Sequence, residues 1–216
     1  MQNVFKSKTP ITREQQNQLA RPHGAKANEV GEHLFTGNAE VIDQLIDKID
    51  YKPDLSIIDI GVGPGYSLIK IAEKFPDAKI IGVDPSPEMI QLAKSKISGI
   101  NNPNFALIVG ETPNLPLGND QYNYALLANV IYFWDDPIRH LIEINRVLKQ
   151  NGSILIYFTG KESLSERINE ADGVFKMYSP DQVTEMLLDT GYKNIICSKI
   201  HRKIGQTGYI ITGIKS

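Results

Sequence analysis

From Leu55 onward, short apolar runs alternate with stretches whose apolar residues recur every three or four positions. The runs are SIIDIG, AKIIGVD, FALIVG, YNYALLAN and SILIYF. Runs of this length bounded by polar turns fit strands buried on both faces, and the periodic stretches between them fit helices. The helix starts are punctuated. Ser86 and Asp136 each precede a proline suited to the first helical position, and Ser179 with Gln182 has capping-box spacing. Asn151-Gly152 and Gly191 are placed to stop helices. Buried strands alternating with helices predict an α/β fold, a doubly wound parallel sheet covered on both faces. Two features break the rhythm. NIICSKI and GYIITGI are separated only by HRKIGQT, too short for a helical crossover, so they predict an antiparallel hairpin. Residues 1 to 50 hold no strand-like run, and there Val41, Leu45, Ile46 and Ile49 share one helical face.

Composition narrows the setting. A chain of 216 residues suits one buried core with a small appendage. A net charge of −2, with no basic run longer than two, gives no electrostatic reason to expect nucleic acid. The single cysteine, Cys197, excludes an internal disulfide, sits in a late strand and reads as a small buried hydrophobe. The start of the chain lacks the apolar core of a secretory signal, and no apolar stretch approaches the roughly 18 residues that span a bilayer. A cytoplasmic setting is expected.

The chemistry concentrates at the end of the first strand, in IIDIGVGPG. Gly61, Gly63 and Gly65 allow a tight turn and close approach of a ligand to the next helix N-terminus. A dinucleotide turn requires G-x-G-x-x-G, but counting from Gly61 the third position is Tyr66, and from Gly63 it is Leu68. No G-K-[ST] follows, so the triphosphate loop fails as well. The pattern left is D-x-G-x-G-x-G, beginning at Asp59. Asp84 ends the second strand, where a carboxylate can accept both hydroxyls of a ribose or simply cap the helix behind it. Glu111 and Thr112 follow the third strand and can meet the polar edge of a base. Three such sites on one sheet edge make a nucleoside cradle.

With these motifs in order, and with GVDPSPEMI, GETPNLPL, ALLANVIYFWDDP and EINRVLKQNGSILI at matching spacing, the chain resembles the class I S-adenosylmethionine-dependent methyltransferases over residues 55 to about 160. It looks most like the small-molecule branch that includes quinone and sterol-type enzymes. The resemblance implies a Rossmann-like sheet of seven strands with a reversed last strand, in the order 3-2-1-4-5-7-6. It implies an N-terminal helical cap over residues 1–50 and a cofactor-binding domain over residues 51–216. By the same resemblance Asp59, Gly61, Gly63 and Gly65 form the turn under the amino-acid part of S-adenosylmethionine. Asp84, with Pro85 beside it, holds the ribose, Glu111 and Thr112 hold the adenine, and Ala128 and Asn129 lie near the transferred methyl.

The acceptor side is less legible. His33 and Tyr132 are the candidate bases, each with a plainer role open to it: a solvated surface histidine, or packing in the IYFW cluster. His23 shares the surface alternative, His140 reads as exposed, and His201 falls in the hairpin turn. Phe133 and Trp134 read as core rather than a substrate cage, Asp135 and Asp136 as helix caps rather than metal ligands, and Tyr66 as either a cofactor cover or a packing residue. Tyr157 and Lys161 mimic a dehydrogenase Y-x-x-x-K pair, but Tyr157 ends a strand. The place after strand four reads ANVI instead of [DN]-P-P-[FY], which disfavours methylation of base amines or glutamine amides. A small-molecule or lipid-like acceptor is therefore expected, methylated on O, N or C, with no metal, under a cap made by residues 1–50; the long TGKESLSERINEADGVFKMY connection either adds to that cap or is an ordinary helix with flanking turns. Two other readings stand beside this one: an S-adenosylmethionine-binding accessory protein without acceptor chemistry, and a nicotinamide oxidoreductase, which the missing third glycine disfavours.

Overall fold

The structure, a computed structural model, describes residues 10–100 and 104–216, so the first nine residues of the expected cap lie outside it. Three helices come first: α1 (Arg13–Ala20), α2 (Ala27–Gly37) and α3 (Ala39–Ile46). Strands and helices then alternate as β1 (Ser56–Ile60), α4 (Tyr66–Lys74), β2 (Lys79–Asp84), α5 (Pro87–Ile97), β3 (Phe105–Val109), β4 (Tyr122–Ala128), α6 (Pro137–Val147) and β5 (Leu148–Thr159). The short α7 (Lys161–Leu164), α8 (Pro180–Asp189) and the hairpin β6 (Tyr192–His201) and β7 (Thr207–Lys215) complete the chain.

The strands form one seven-stranded sheet in the expected order, β3-β2-β1-β4-β5-β7-β6. β1 to β5 pair in parallel, while β7 runs antiparallel to both β5 and β6. Side chains alternate across the sheet with a period of two. Leu155 and Tyr157 of β5 face the core beneath α3 and α4, and Ile154, Ile156 and Phe158 face the core beneath α6 and α8. The capping signals act as read: the Ser86 side chain accepts from Met89 N–H, Asp136 from Arg139 N–H, and Ser179 with Gln182 closes a capping box.

Three local readings change. α6 stops at Val147, before Asn151-Gly152, because Leu148 already pairs with Tyr122 across the sheet; Asn151, at φ 61°, turns within β5 instead. Cys197 is exposed, on β6, the outer strand of the sheet. The apolar face of α3 does not belong to a detachable cover: Val41, Leu45, Ile46 and Ile49 are buried with Leu68 and Ile71 of α4 in the core on the sheet. Ile46→Ala is therefore expected to destabilise the whole domain by about 2–5 kcal/mol, the range for truncating a buried isoleucine, in a single cooperative urea transition. An early, separate loss of helix signal would mean that α3 unfolds independently of the sheet.

Candidate active site

The parallel strands all end on one edge, and the functional residues gather there because each strand terminus faces the N-terminus of the following helix. After β1 the chain turns through Gly61, Gly63 and Gly65, all at positive φ (73°, 52° and 85°). A Cβ on Gly61 would stand 2.5 Å from a Val130 methyl, whereas one on Gly63 would meet nothing within 4 Å. Gly61 is therefore held by packing, and Gly63 is the place where a ligand can run along bare backbone. Gly65 differs from the sequence reading. It does not line the cavity; its α-carbon faces Ala93 of α5, which brings the two helices together.

Asp84 lies across this turn at the end of β2 and is 6% exposed. Its Oδ2 accepts from Gly63 N–H at 2.8 Å and its Oδ1 from Ser86 N–H at 2.9 Å. Each oxygen keeps a further lone pair for a ligand hydroxyl. Burial pushes its pKa up to about 6, against the lowering effect of those two bonds. Asp59 is buried deeper and is pushed up to about 7, first by burial and then by the Asp84 charge, while the hydroxyl donated by Ser67 opposes the shift.

Beyond β3, Glu111 is exposed and paired at 3.2 Å with Arg21, from the segment after α1. Thr112 is buried, with its hydroxyl on His140 Nδ1, and the imidazole stacks on Trp134 at 4.5 Å between ring centres. His140 is thus not an exposed helix residue. Burial lowers its pKa to about 4, and it lines the cavity as a neutral ring. Spacing alone gave no sign of the Trp134 stack that draws it in.

β4 ends at Ala128, and Asn129 takes a left-handed conformation at φ 60°. Its Oδ1 accepts from the Tyr132 hydroxyl and from Thr159 N–H, and its Nδ2 donates to Asn38 Oδ1 at 2.9 Å. One amide thereby ties β4, β5 and the α2–α3 junction together. Tyr132 lines the cavity and is buried in this network, its pKa raised by burial and its hydroxyl donating to Asn129 Oδ1. His33 is not in the cavity wall; α2 presents Leu34 and Phe35 there, followed by Asn38 at the α2–α3 junction, and His33 Nδ1 meets Glu29 O of its own helix. Tyr66 lines the cavity and donates to Asp43 at 3.0 Å. Phe133 and Trp134 both pack into the core and line the cavity.

The cavity holds about 440 Å³. Over β1, β2 and β3 its wall is the glycine turn, Asp84, Pro85, Glu111 and Thr112; over β4, β5 and β7 it continues along Tyr132, Phe133, Phe175 and Ile168. Its roof is tied at both ends. Ser86 Oγ donates to Pro22 O at 2.5 Å and Gly24 N–H to Glu88 at 3.0 Å, while Ile11 N–H donates to Arg167 O at 3.0 Å and Gln16 to Asp172 at 2.6 Å. The long segment after β5 is thus joined to the N-terminal helices over the site. Sequence reasoning missed Arg167, Arg202, Gln206 and Asn38, which also line the cavity. They come from loop turns and helix ends with no motif of their own.

Strand order, with β7 reversed against β5, defines a class I methyltransferase fold. The chain belongs to the class I S-adenosylmethionine-dependent methyltransferases: a family model described as a methyltransferase domain matches residues 57–152. The chain is 30% identical over 182 residues to an uncharacterized protein of Methanocaldococcus jannaschii, a match covering 76% of this chain and 82% of that protein. It is 29% identical over 170 residues to malonyl-[acyl-carrier protein] O-methyltransferase 1 of Ilyobacter polytropus, covering 72% of this chain and 62% of the enzyme. It spans 46% and 62% of the length of two of the curated relatives it matches. The solved structure of Haemonchus contortus phosphoethanolamine N-methyltransferase 2 with S-adenosyl-L-methionine superposes with a TM-score of 0.76 at 15% identity, over 95% of this chain and 60% of that one, and so shares the fold. Among the described residues no helix is long and apolar enough to cross a membrane.

The raised pKa of Asp59 has a definite sign. A carboxyl that binds its proton more tightly when folded favours the folded state at low pH, and that advantage is lost between about pH 4 and 7. His140, lowered to about 4, acts in the opposite direction, so the informative quantity is a difference. Asp59→Asn should gain stability relative to the unchanged chain as pH rises from 4 to 7. Urea midpoints across that range check it, and a pH-independent difference would show that Asp59 ionises normally.

Proposed function

We propose that the chain transfers a methyl group from S-adenosylmethionine to a small-molecule or lipid-like acceptor, at an O, N or C centre. The observation that carries this reading is Asp84, a buried carboxylate held by Gly63 and Ser86 N–H at the lip of a glycine turn that opens into the cavity. The donor set suits the cofactor. Asp84 has lone pairs for two ribose hydroxyls, Gly63 leaves bare backbone for the amino-acid part, and Glu111 and Thr112 offer acceptor and donor groups for adenine. Pro85 would flank the ribose and Asp59 would hold the turn through Ser67. Ala128 and Asn129 would stand where the two halves of the cavity meet.

When bound, S-adenosylmethionine supplies an electrophilic methyl on a sulfonium that leaves as neutral S-adenosylhomocysteine. The chain's own work is then alignment and exclusion of water. The Asn129–Tyr132–Thr159 network fixes the floor between the halves, and the residues from Ile11 to Asn38, joined to the segment after β5, close the roof. In this reading residues 1–50 do not act as one cap, because α3 belongs to the core and the cover is built from the helices before it.

Calorimetric titration with S-adenosylhomocysteine tests the cofactor half. Binding is expected, with NADH giving none, and Asp84→Ala should weaken it roughly 100-fold, the cost of losing two hydrogen bonds to a charged group. Since the ribose hydroxyls need an ionised acceptor, affinity should also fall as pH drops below about 6, and Asp84→Asn should abolish that dependence. NADH binding, or an Asp84→Ala variant that binds as well as the unchanged chain, would sink the assignment.

A further inference from the structure

Two distant elements of the cavity wall share a single proton. Thr112, in the turn after β3, is 3% exposed, and its hydroxyl meets Nδ1 of His140 in the first turn of α6. The imidazole lies flat on Trp134, with 4.5 Å between ring centres and 9° between the planes. Thr112, Trp134 and His140 all line the cavity, and so does Glu111, the neighbour of Thr112 in the chain. The ring is half-buried, and burial lowers its pKa to about 4, so it carries one N–H across the neutral range.

A hydroxyl has one proton to give, and so has a neutral imidazole. The contact between Oγ1 and Nδ1 therefore has two forms, set by the tautomer of the ring. With the ring proton on Nε2, Thr112 gives its own proton to Nδ1 and meets a ligand only as an acceptor. With the ring proton on Nδ1, Oγ1 accepts it and the Thr112 O–H is left to donate into the cavity. Glu111, ion-paired with Arg21, is a carboxylate and only accepts. An adenine edge presents an amino group, which donates, beside ring nitrogens, which only accept. Glu111 suits the amino group. Thr112 suits a ring nitrogen only in the second form.

We propose that His140 is a positioning residue for the cofactor's base: with its proton on Nδ1 it donates to Thr112 Oγ1, and so makes the Thr112 hydroxyl the donor that meets a ring nitrogen of adenine. This rests on the S-adenosylmethionine reading and adds to it the residue that sets the polarity of the base contact. Trp134 holds the imidazole plane, and with it the direction from which Nδ1 reaches Thr112.

The test uses the full chain, S-adenosylhomocysteine, and its three analogues in which N1, N3 or N7 of the adenine is replaced by CH. Calorimetry is expected to show the unchanged chain binding one analogue about fivefold weaker, the loss of one hydrogen bond, which identifies the nitrogen. Thr112→Val and His140→Phe, the latter keeping an aromatic ring on Trp134, should each weaken S-adenosylhomocysteine by a similar factor. Neither variant should distinguish that analogue from S-adenosylhomocysteine. The double variant should bind no more weakly than Thr112→Val alone, because His140 acts through the hydroxyl. His140→Asn, whose amide can donate from about the place of Nδ1, should recover part of what His140→Phe loses. Equal binding of all three analogues by the unchanged chain would overturn the proposal. So would a His140→Phe loss that persists in full in the Thr112→Val background, or one that weakens all four ligands alike, which a merely structural role would produce. A chain that fails to bind S-adenosylhomocysteine at all would instead remove the methyltransferase reading, and this proposal with it.

Discussion

The site depends on the carboxylate of Asp84. Two backbone N–H groups, from the turn after β1 and from the start of α5, converge on it, so one side chain joins the ends of two neighbouring strands. Those bonds fix the oxygens before any ligand arrives, and burial keeps them from water. The cost is a carboxyl whose ionised form is poorly solvated, with a second buried carboxyl, Asp59, close enough to feel its charge. A structural carboxylate would be better served by a full set of protein donors. This one keeps lone pairs toward a cavity, which is the arrangement expected where a ligand's hydroxyls complete the set.

The rest of the architecture follows from the need to expose that edge and still cover it. Parallel β1 to β5 bring every strand end to one side, and the antiparallel β7 returns the hairpin turn to that same side. Arg202 reaches the cavity only because of this reversal. The cover is held from two directions, by Pro22 and Gly24 against the start of α5 and by Ile11 and Gln16 against the segment after β5. Arg21 on Glu111 adds an exposed ion pair, a contact of small worth in water and so one that a ligand can displace at little cost.

By itself, the sequence determined the elements with local causes. Apolar runs bounded by capping signals made the strands and helices legible, and a seven-residue link could only make a hairpin. The glycine turn and Asp84 were readable because backbone geometry at a strand end demands those residue types at fixed spacing. Tertiary structure decided whatever depends on which surfaces meet. Position along β6 could not show that Cys197 would stand exposed, on the outer strand of the sheet. The apolar stripe of α3 gave its helical face but not its partner, α4 on the sheet. His140, Arg167 and Arg202 carry no local signature. They became site residues because Trp134, the segment after β5 and the reversed hairpin place them over one strand edge, and contacts between residues distant along the chain leave no periodic mark on it.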